Sequence, residues 1–157
     1  MFHKMFDDCP VISGQHEVMM GADKGDKRYK FAIQNHFSNI FTYASLVNSP
    51  SVPRDSKALY ARIIAPKKTN EYEMMPLSPA EEEVSRYLDK QGANPVSIKD
   101  VVEKFAAIPY GWNEICTIFI MNELVRRKLR SFSYKNTPNA ERVLVADKIM
   151  SNKADFT

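Results

Sequence analysis

Apolar positions along this chain recur mostly at three- and four-residue spacing, the period of a helix with one buried face. In YKFAIQNHFSNIFTYASLVN, residues 29–48, Phe31, Phe37, Ile40, Phe41, Ala44 and Val47 trace such a stripe. The pattern predicts one amphipathic helix whose aromatics pack a core, ended by Asn48, Ser49 and Pro50. SKALYARIIA predicts a short second helix with a Ser-rich start, Leu59, Ile63 and Ile64 on one side, and a stop at Pro66. Ser78 followed by Pro79 and a run of glutamates is a strong helix start, with a capping hydroxyl, a pre-set first residue and acids near the positive end of the dipole. That helix, PAEEEVSRYLDKQG, turns Val84, Tyr87 and Leu88 inward, leaves its glutamates as a solvated face and closes at Gly92. Val96 to Ile98 reads as a short extended piece placed to pair with later strands. Asp100 then caps a helix carrying Val101, Val102, Phe105 and Ala106, which stops before Pro109 because the residue ahead of a proline is pushed out of helical dihedrals.

The chain is organised around Ile108 to Arg130, IPYGWNEICTIFIMNELVRRKLR. In the PYGW turn, Pro109 fixes one dihedral, Gly111 permits a left-handed one, and Tyr110 and Trp112 offer large apolar area. These four residues form either a structural turn locked onto a core or, on a sharper reading, an aromatic contact surface. The helix that follows, capped by Asn113, aligns Ile115, Ile118, Val125 and Leu129 on one face and is apolar nearly all round at its start, which requires packing on several sides. SFSYKN, the loop TPNAE and RVLVAD predict a β-hairpin, and KIMSNKADFT a short polar finish. The order helix, short strand, helix, turn, helix, hairpin is that of a winged helix-turn-helix. The expected fold is therefore α+β, mostly helical: a winged helix-turn-helix over residues 78–157 with an N-terminal helical extension and linker over residues 1–77. The boundary falls in APKKTNEYEMMPLSP, three prolines among mixed charges, where Tyr72, Met74 and Met75 can dock as an extended strap.

Composition narrows the function classes. A chain of 157 residues with 44% apolar content can bury a core. Its 22 basic and 19 acidic residues leave a formal charge of only +3, so nucleic-acid affinity requires a local patch. Cys9 and Cys116 lack metal-type spacing and read as reduced thiols of a cytoplasmic protein. No apolar run approaches the roughly 20 residues of a membrane span, and no signal core opens the chain, which reads as neither exported nor embedded. Residues 1–30 are weakly specified. GADKGDK is near the spacing of a phosphate-cradling loop, but its glycines are four apart where five are needed and no Lys-Ser or Lys-Thr pair follows. His3, His16 and His36 have no partner motif, and His36 falls on the polar face of its helix. No catalytic, cofactor or metal constellation is legible, and the chain is expected not to be an enzyme.

A DNA-reading helix presents polar and basic side chains near its N-terminus. The corresponding Asn113, Glu114, Ile115 and Thr117 include an acid and little to bond a base, which disfavours sequence-specific reading. The basic run is different. Arg126, Arg127, Lys128, Arg130 and Lys135, with Phe132 and Tyr134 interleaved and no acid among them, suit phosphate-backbone contact. Solvated charge at a helix C-terminus accounts for the same residues.

At these residues a family resemblance emerges. FAAIPYGWNEICTIFIMNELVRRKLRSFSYKN resembles a segment of the large P-loop ATPases of BREX phage-defence systems, the BrxC/PglY family, in which a proline-aromatic-glycine-tryptophan turn precedes an apolar helix. The similarity is clearest from about Phe105 to Asn139 and extends back through LSPAEEEVSRYL. NHFSNIFTYASLVN and the short helix after it suit the helical region preceding such a segment. The resemblance implies a fragment or detached domain of a much larger protein whose ATP-binding machinery lies elsewhere. Without a Walker A sequence, neither nucleotide binding nor hydrolysis falls on any residue here. The family role, resistance to bacteriophage through a multi-protein complex acting on DNA, supplies context for a non-catalytic module. Its implied partners are the remainder of the ATPase or other defence-complex subunits, with double-stranded DNA contacted through its backbone and no membrane. The alternative is a stand-alone winged-helix transcriptional regulator.

Overall fold

Helices dominate, as the spacing of apolar residues requires. In the computed structural model, which describes residues 10, 12–13, 16–17, 25–66 and 75–157, the elements are β1 (Ile12–Ser13), β2 (His16–Glu17), α1 (Asp26–Ile40), α2 (Ser56–Ile64), α3 (Pro79–Lys90), α4 (Ile98–Ala106), α5 (Glu114–Arg126) and α6 (Arg142–Lys148). Short 3-10 turns occupy Ala44–Val47 and Lys153–Asp155. Cys9, His3, the start of the GADKGDK loop, and Tyr72 and Met74 of the expected strap lie outside the described residues. The chain divides into two compact units, Met1–Thr42 and Tyr43–Thr157.

In the first unit β1 and β2 pair antiparallel, Ile12 opposite Glu17 and Ser13 opposite His16. α1 differs from expectation in two ways. Only Ala32 of this helix is buried, whereas Tyr29, Phe31 and Phe37 stay exposed, so its aromatic stripe does not pack a core within the unit. His36 is exposed, with its ring edge-on to Phe37 at 6.1 Å. Nor does the helix continue to Asn48, for it ends at Ile40. Continuation would require the Tyr43 amide to bond back to Asn39, but that amide donates to the Pro109 carbonyl at 3.1 Å instead. A tertiary bond overrides the local period.

The second unit is built on α5, against which α2, α3 and α4 all pack, while α2 also packs on α6. Leu59 and Ile63 bury α2 in this core, with Ile64 exposed. The core therefore draws on residues on both sides of position 77. α2 is capped by Asp55, which accepts from the Ala58 amide at 2.8 Å. At α3, Ser78 and Glu81 form a capping box: the Glu81 amide donates to the Ser78 hydroxyl and the Ser78 amide to the Glu81 carboxylate. Gly92, just past the end of α3, takes φ +69°, as a helix-closing glycine does. α4 is capped by Ser97 rather than Asp100; Ser97 accepts from Lys99, and Asp100 lies in the first turn, favoured there by the dipole.

The hairpin is the main departure. RVLVAD is the helix α6, not a strand. A four-residue apolar run does not fix its own period, and with Ile149 included it places Val145, Ala146 and Ile149 on one helical stripe, all buried. The second arm of the wing comes from elsewhere. Tyr134 and Thr137 exchange both backbone bonds, at 2.9 and 2.8 Å, around Lys135 and Asn136, whose positive φ angles suit a tight hairpin turn. On the other edge, Ser133 exchanges bonds with Thr157, and Lys135 donates to the Asp155 carbonyl. The Phe156 carbonyl in turn accepts from the Ile98 amide at 2.9 Å. The extended piece expected at Val96 to Ile98 forms no strand: Ile98 is the first residue of α4, and a single bond from its amide ties it to the C-terminal residues. Phe156 is fully buried, its ring 4.7 Å from that of Tyr134.

Candidate contact surface around the central helix

Two groups of residues singled out from the sequence meet around α5: the aromatic turn at its start and the basic run at its end. At the start, the Ile108–Pro109 bond is cis and Gly111 takes φ +64°, a backbone that other side chains rarely adopt. The turn carries Trp112 into the core, where its ring stacks on Phe105 at 4.8 Å with Tyr110 edge-on at 5.3 Å. Its indole nitrogen donates to the Tyr43 carbonyl at 2.9 Å. Trp112 is only 1% exposed, so the structural role of the turn absorbs it; Tyr110 and Pro109 lie nearer the surface.

Tyr110 donates its hydroxyl to Glu83 at 2.9 Å. Burial first, then the bond to Glu83 and its negative charge, push the phenol up to about 12. The folded state therefore favours the neutral phenol, and its contribution is complete below the ordinary value near 10 and lost as pH rises toward 12. Tyr110→Phe is expected to cost about 1 kcal/mol at neutral pH. In urea unfolding followed by circular dichroism, the gap between wild type and variant should narrow between pH 10 and pH 12. A gap that widens there would contradict the assignment.

At the far end of α5, Glu81 of the EEE run, Glu123 and two arginines form a buried polar layer. Glu81 is not part of a solvated face. It is buried, and its carboxylate accepts from Arg127 Nε at 2.6 Å and Nη2 at 3.3 Å while also closing the capping box. Arg127 further donates to the Met75 carbonyl at 2.7 Å. Arg126 points its guanidinium at the Ala65 and Pro66 carbonyls, at 2.9 and 3.1 Å. Burial lowers the Arg126 value, with Glu123 opposing that effect. Glu123, itself buried, accepts from Arg62 Nε and Nη2, each at 3.1 Å. Consecutive arginines thus bind the chain on either side of residues 67–74.

The helix ends at Arg126, four residues before the expected Arg130, because Lys128 adopts φ +62°. Lys128 and Leu129 amides then bond back to the Val125 and Leu124 carbonyls, the double closure usual at a left-handed cap. Leu129, expected on the buried face, is consequently exposed. Of the five basic residues, Arg126 and Arg127 are buried, at 7% and 8% exposure, whereas Lys128 and Lys135 are exposed. Arg130 bonds to Asp89 and to Ser85, and Lys135 lies 3.8 Å from Asp155. The basic run is therefore not one patch. At the N-terminal end, Thr117 is fully buried and donates to the Asn113 carbonyl, while Asn113 caps the helix through Cys116. Burial also raises the Cys116 thiol. Sequence reasoning missed Glu81, Glu123, Arg62 and Asn122; an acid three and four residues before two arginines inside an apolar helix was the available signal.

The family comparison names a domain consistent with this architecture. Residues 54–152 match the family described as the BREX ATP-binding protein BrxC winged helix-turn-helix domain. The chain belongs to that family. Matched BrxC residues begin just before α2 and take in everything through α6, so the family segment starts on the N-terminal side of the expected boundary at 77/78. The matched description is of a winged-helix domain of BrxC and names no catalytic domain. No curated protein and no solved structure matches. Among the described residues no helix is long and apolar enough to cross a membrane.

Proposed function

We propose that this chain is a non-catalytic docking module, a fragment or detached domain of a BrxC-type phage-defence ATPase, that contacts the rest of that protein or other subunits of its complex. The observation that carries the reading is the enclosure of α5. The helix that would enter a major groove is packed by α2, α3 and α4, with Thr117 buried, which supports a scaffold role over base reading. Lys128 and Lys135 remain exposed and support a secondary, sequence-independent contact with duplex DNA.

The test combines co-elution of the 157-residue chain with BrxC lacking this domain and anisotropy titration against unrelated duplexes at two salt concentrations. Co-elution is expected. Any DNA affinity should ignore sequence, fall in a Lys128→Ala, Lys135→Ala variant, and weaken with a log–log salt slope no steeper than about −3. No co-elution together with discrimination between duplexes would favour the stand-alone regulator instead.

A further inference from the structure

The face of α1 that its apolar spacing assigns to a core is open instead. Tyr29, Ile33 and Phe37 recur at a spacing of four, about one turn apart, and stand 50%, 36% and 54% exposed. Phe41, at the end of the helix, stacks on Phe37 with ring centres 6.0 Å apart, which carries the aromatic surface past the last turn. Lys30 falls within this stripe, three residues before Ile33 and seven before Phe37, and is exposed, as is Lys27. Cations near the N-terminus of a helix oppose its dipole, yet Lys27, Arg28 and Lys30 follow the single acid Asp26. No further acid occurs before Asp55. In a chain whose formal charge is only +3, this is a local surplus that the helix does not need for its own stability.

We propose that this face of α1 binds single-stranded nucleic acid. Unpaired bases stack on Phe37 and Tyr29, and Lys27 and Lys30 hold the phosphates that lie between them. Such a strand alternates charge with flat apolar surface along its length, as the stripe itself does. Three other occupants fit less well. An interfacial helix keeps its cations on the polar side, whereas Lys30 interrupts this stripe and would be drawn out of water by a bilayer. A second copy would bring the same cations and only Asp26 to answer them. A duplex hides the faces of its bases in its own stack and leaves Phe37 nothing to lie on. The inference is independent of the docking reading.

The test is fluorescence anisotropy of the full chain with fluorescein-labelled oligothymidylate, with the same strand lacking its bases, and with a duplex of equal charge. The thymidine strand should bind with a log–log salt slope of roughly −1 to −2, and about tenfold more tightly than the abasic strand. Phe37→Ala should weaken it about tenfold and leave the abasic strand unaffected, while Lys27→Glu with Lys30→Glu should weaken both. These side chains are exposed, so circular dichroism should show each variant folded. Phe31→Ala, on another side of the helix, should bind as the native chain does. Equal affinity for the abasic strand or the duplex, an equal loss in Phe31→Ala, or displacement of the strand by polyglutamate or anionic lipid vesicles of equal charge would each overturn the proposal. So would absence of strand binding, and continued co-elution with BrxC would then show the docking reading standing without it.

Discussion

Arg127→Ala is expected to lower the unfolding free energy by about 3–5 kcal/mol, because Glu81 would keep its burial and lose its counter-charge. Both side chains of the pair are almost wholly enclosed, at 7% and 5% exposure. The loss falls on more than one bond, since the Met75 carbonyl also gives up a donor. Small proteins have about 5–15 kcal/mol in all, so the variant should sit near the edge of folding. Urea unfolding of the whole chain, followed by circular dichroism, reads the effect. A double replacement, Arg127→Met with Glu81→Leu, removes both charges and should recover part of the loss. Because Glu81 also closes the capping box, recovery should fall short of wild type by about 1 kcal/mol. A single variant within about 1 kcal/mol of wild type would show that the pair is solvated in solution rather than buried.

Trp112→Ala should be comparably damaging, at about 3–5 kcal/mol, through loss of a large core side chain. It also strips the Tyr43 carbonyl of its indole donor and Phe105 of its stacked partner. Trp112→Phe keeps most of the packing and loses the hydrogen bond, so it should cost about 1–3 kcal/mol. Since the chain has a single tryptophan, wild-type fluorescence reports this position alone. Its emission should be that of an enclosed indole and shift to the red on unfolding, while the variants are followed by circular dichroism. Red-shifted emission from the folded chain would place the ring in solvent and contradict the core assignment.

Helices α2 to α5 were legible, and α6 was not, because each of the four carries its own punctuation. Ser78 with Pro79, Asn113, Gly92 and the proline at 109 act through local geometry, which sequence spells out directly. What escaped depends on distant partners. Tyr43 leaves the helical path for the Pro109 carbonyl, a bond between residues far apart in sequence. RVLVAD became helical because its stripe completes at Ile149 and meets α2. The basic run shows the same limit at the level of function. Five cations in ten residues look alike as letters, yet the turn at Lys128 divides them, sending Arg126 and Arg127 into the core and leaving Lys128 outside. Charge on the page is not charge on the surface. In the aromatic turn the two readings part by residue: Trp112 is enclosed against Phe105, whereas Pro109 and Tyr110 lie nearer the surface.

The stitching of Asp155–Thr157 to Ser133, Lys135 and Ile98 bears on the order of events during synthesis. α3, α4 and α5 can form and meet as soon as each has left the ribosome, but the edges that close the wing are bridged by Asp155–Thr157, which follow all of these helices in the chain. Until then the Ile98 amide, the Ser133 backbone and the ring of Tyr134 lack the partners that Phe156 and Thr157 supply in the finished fold.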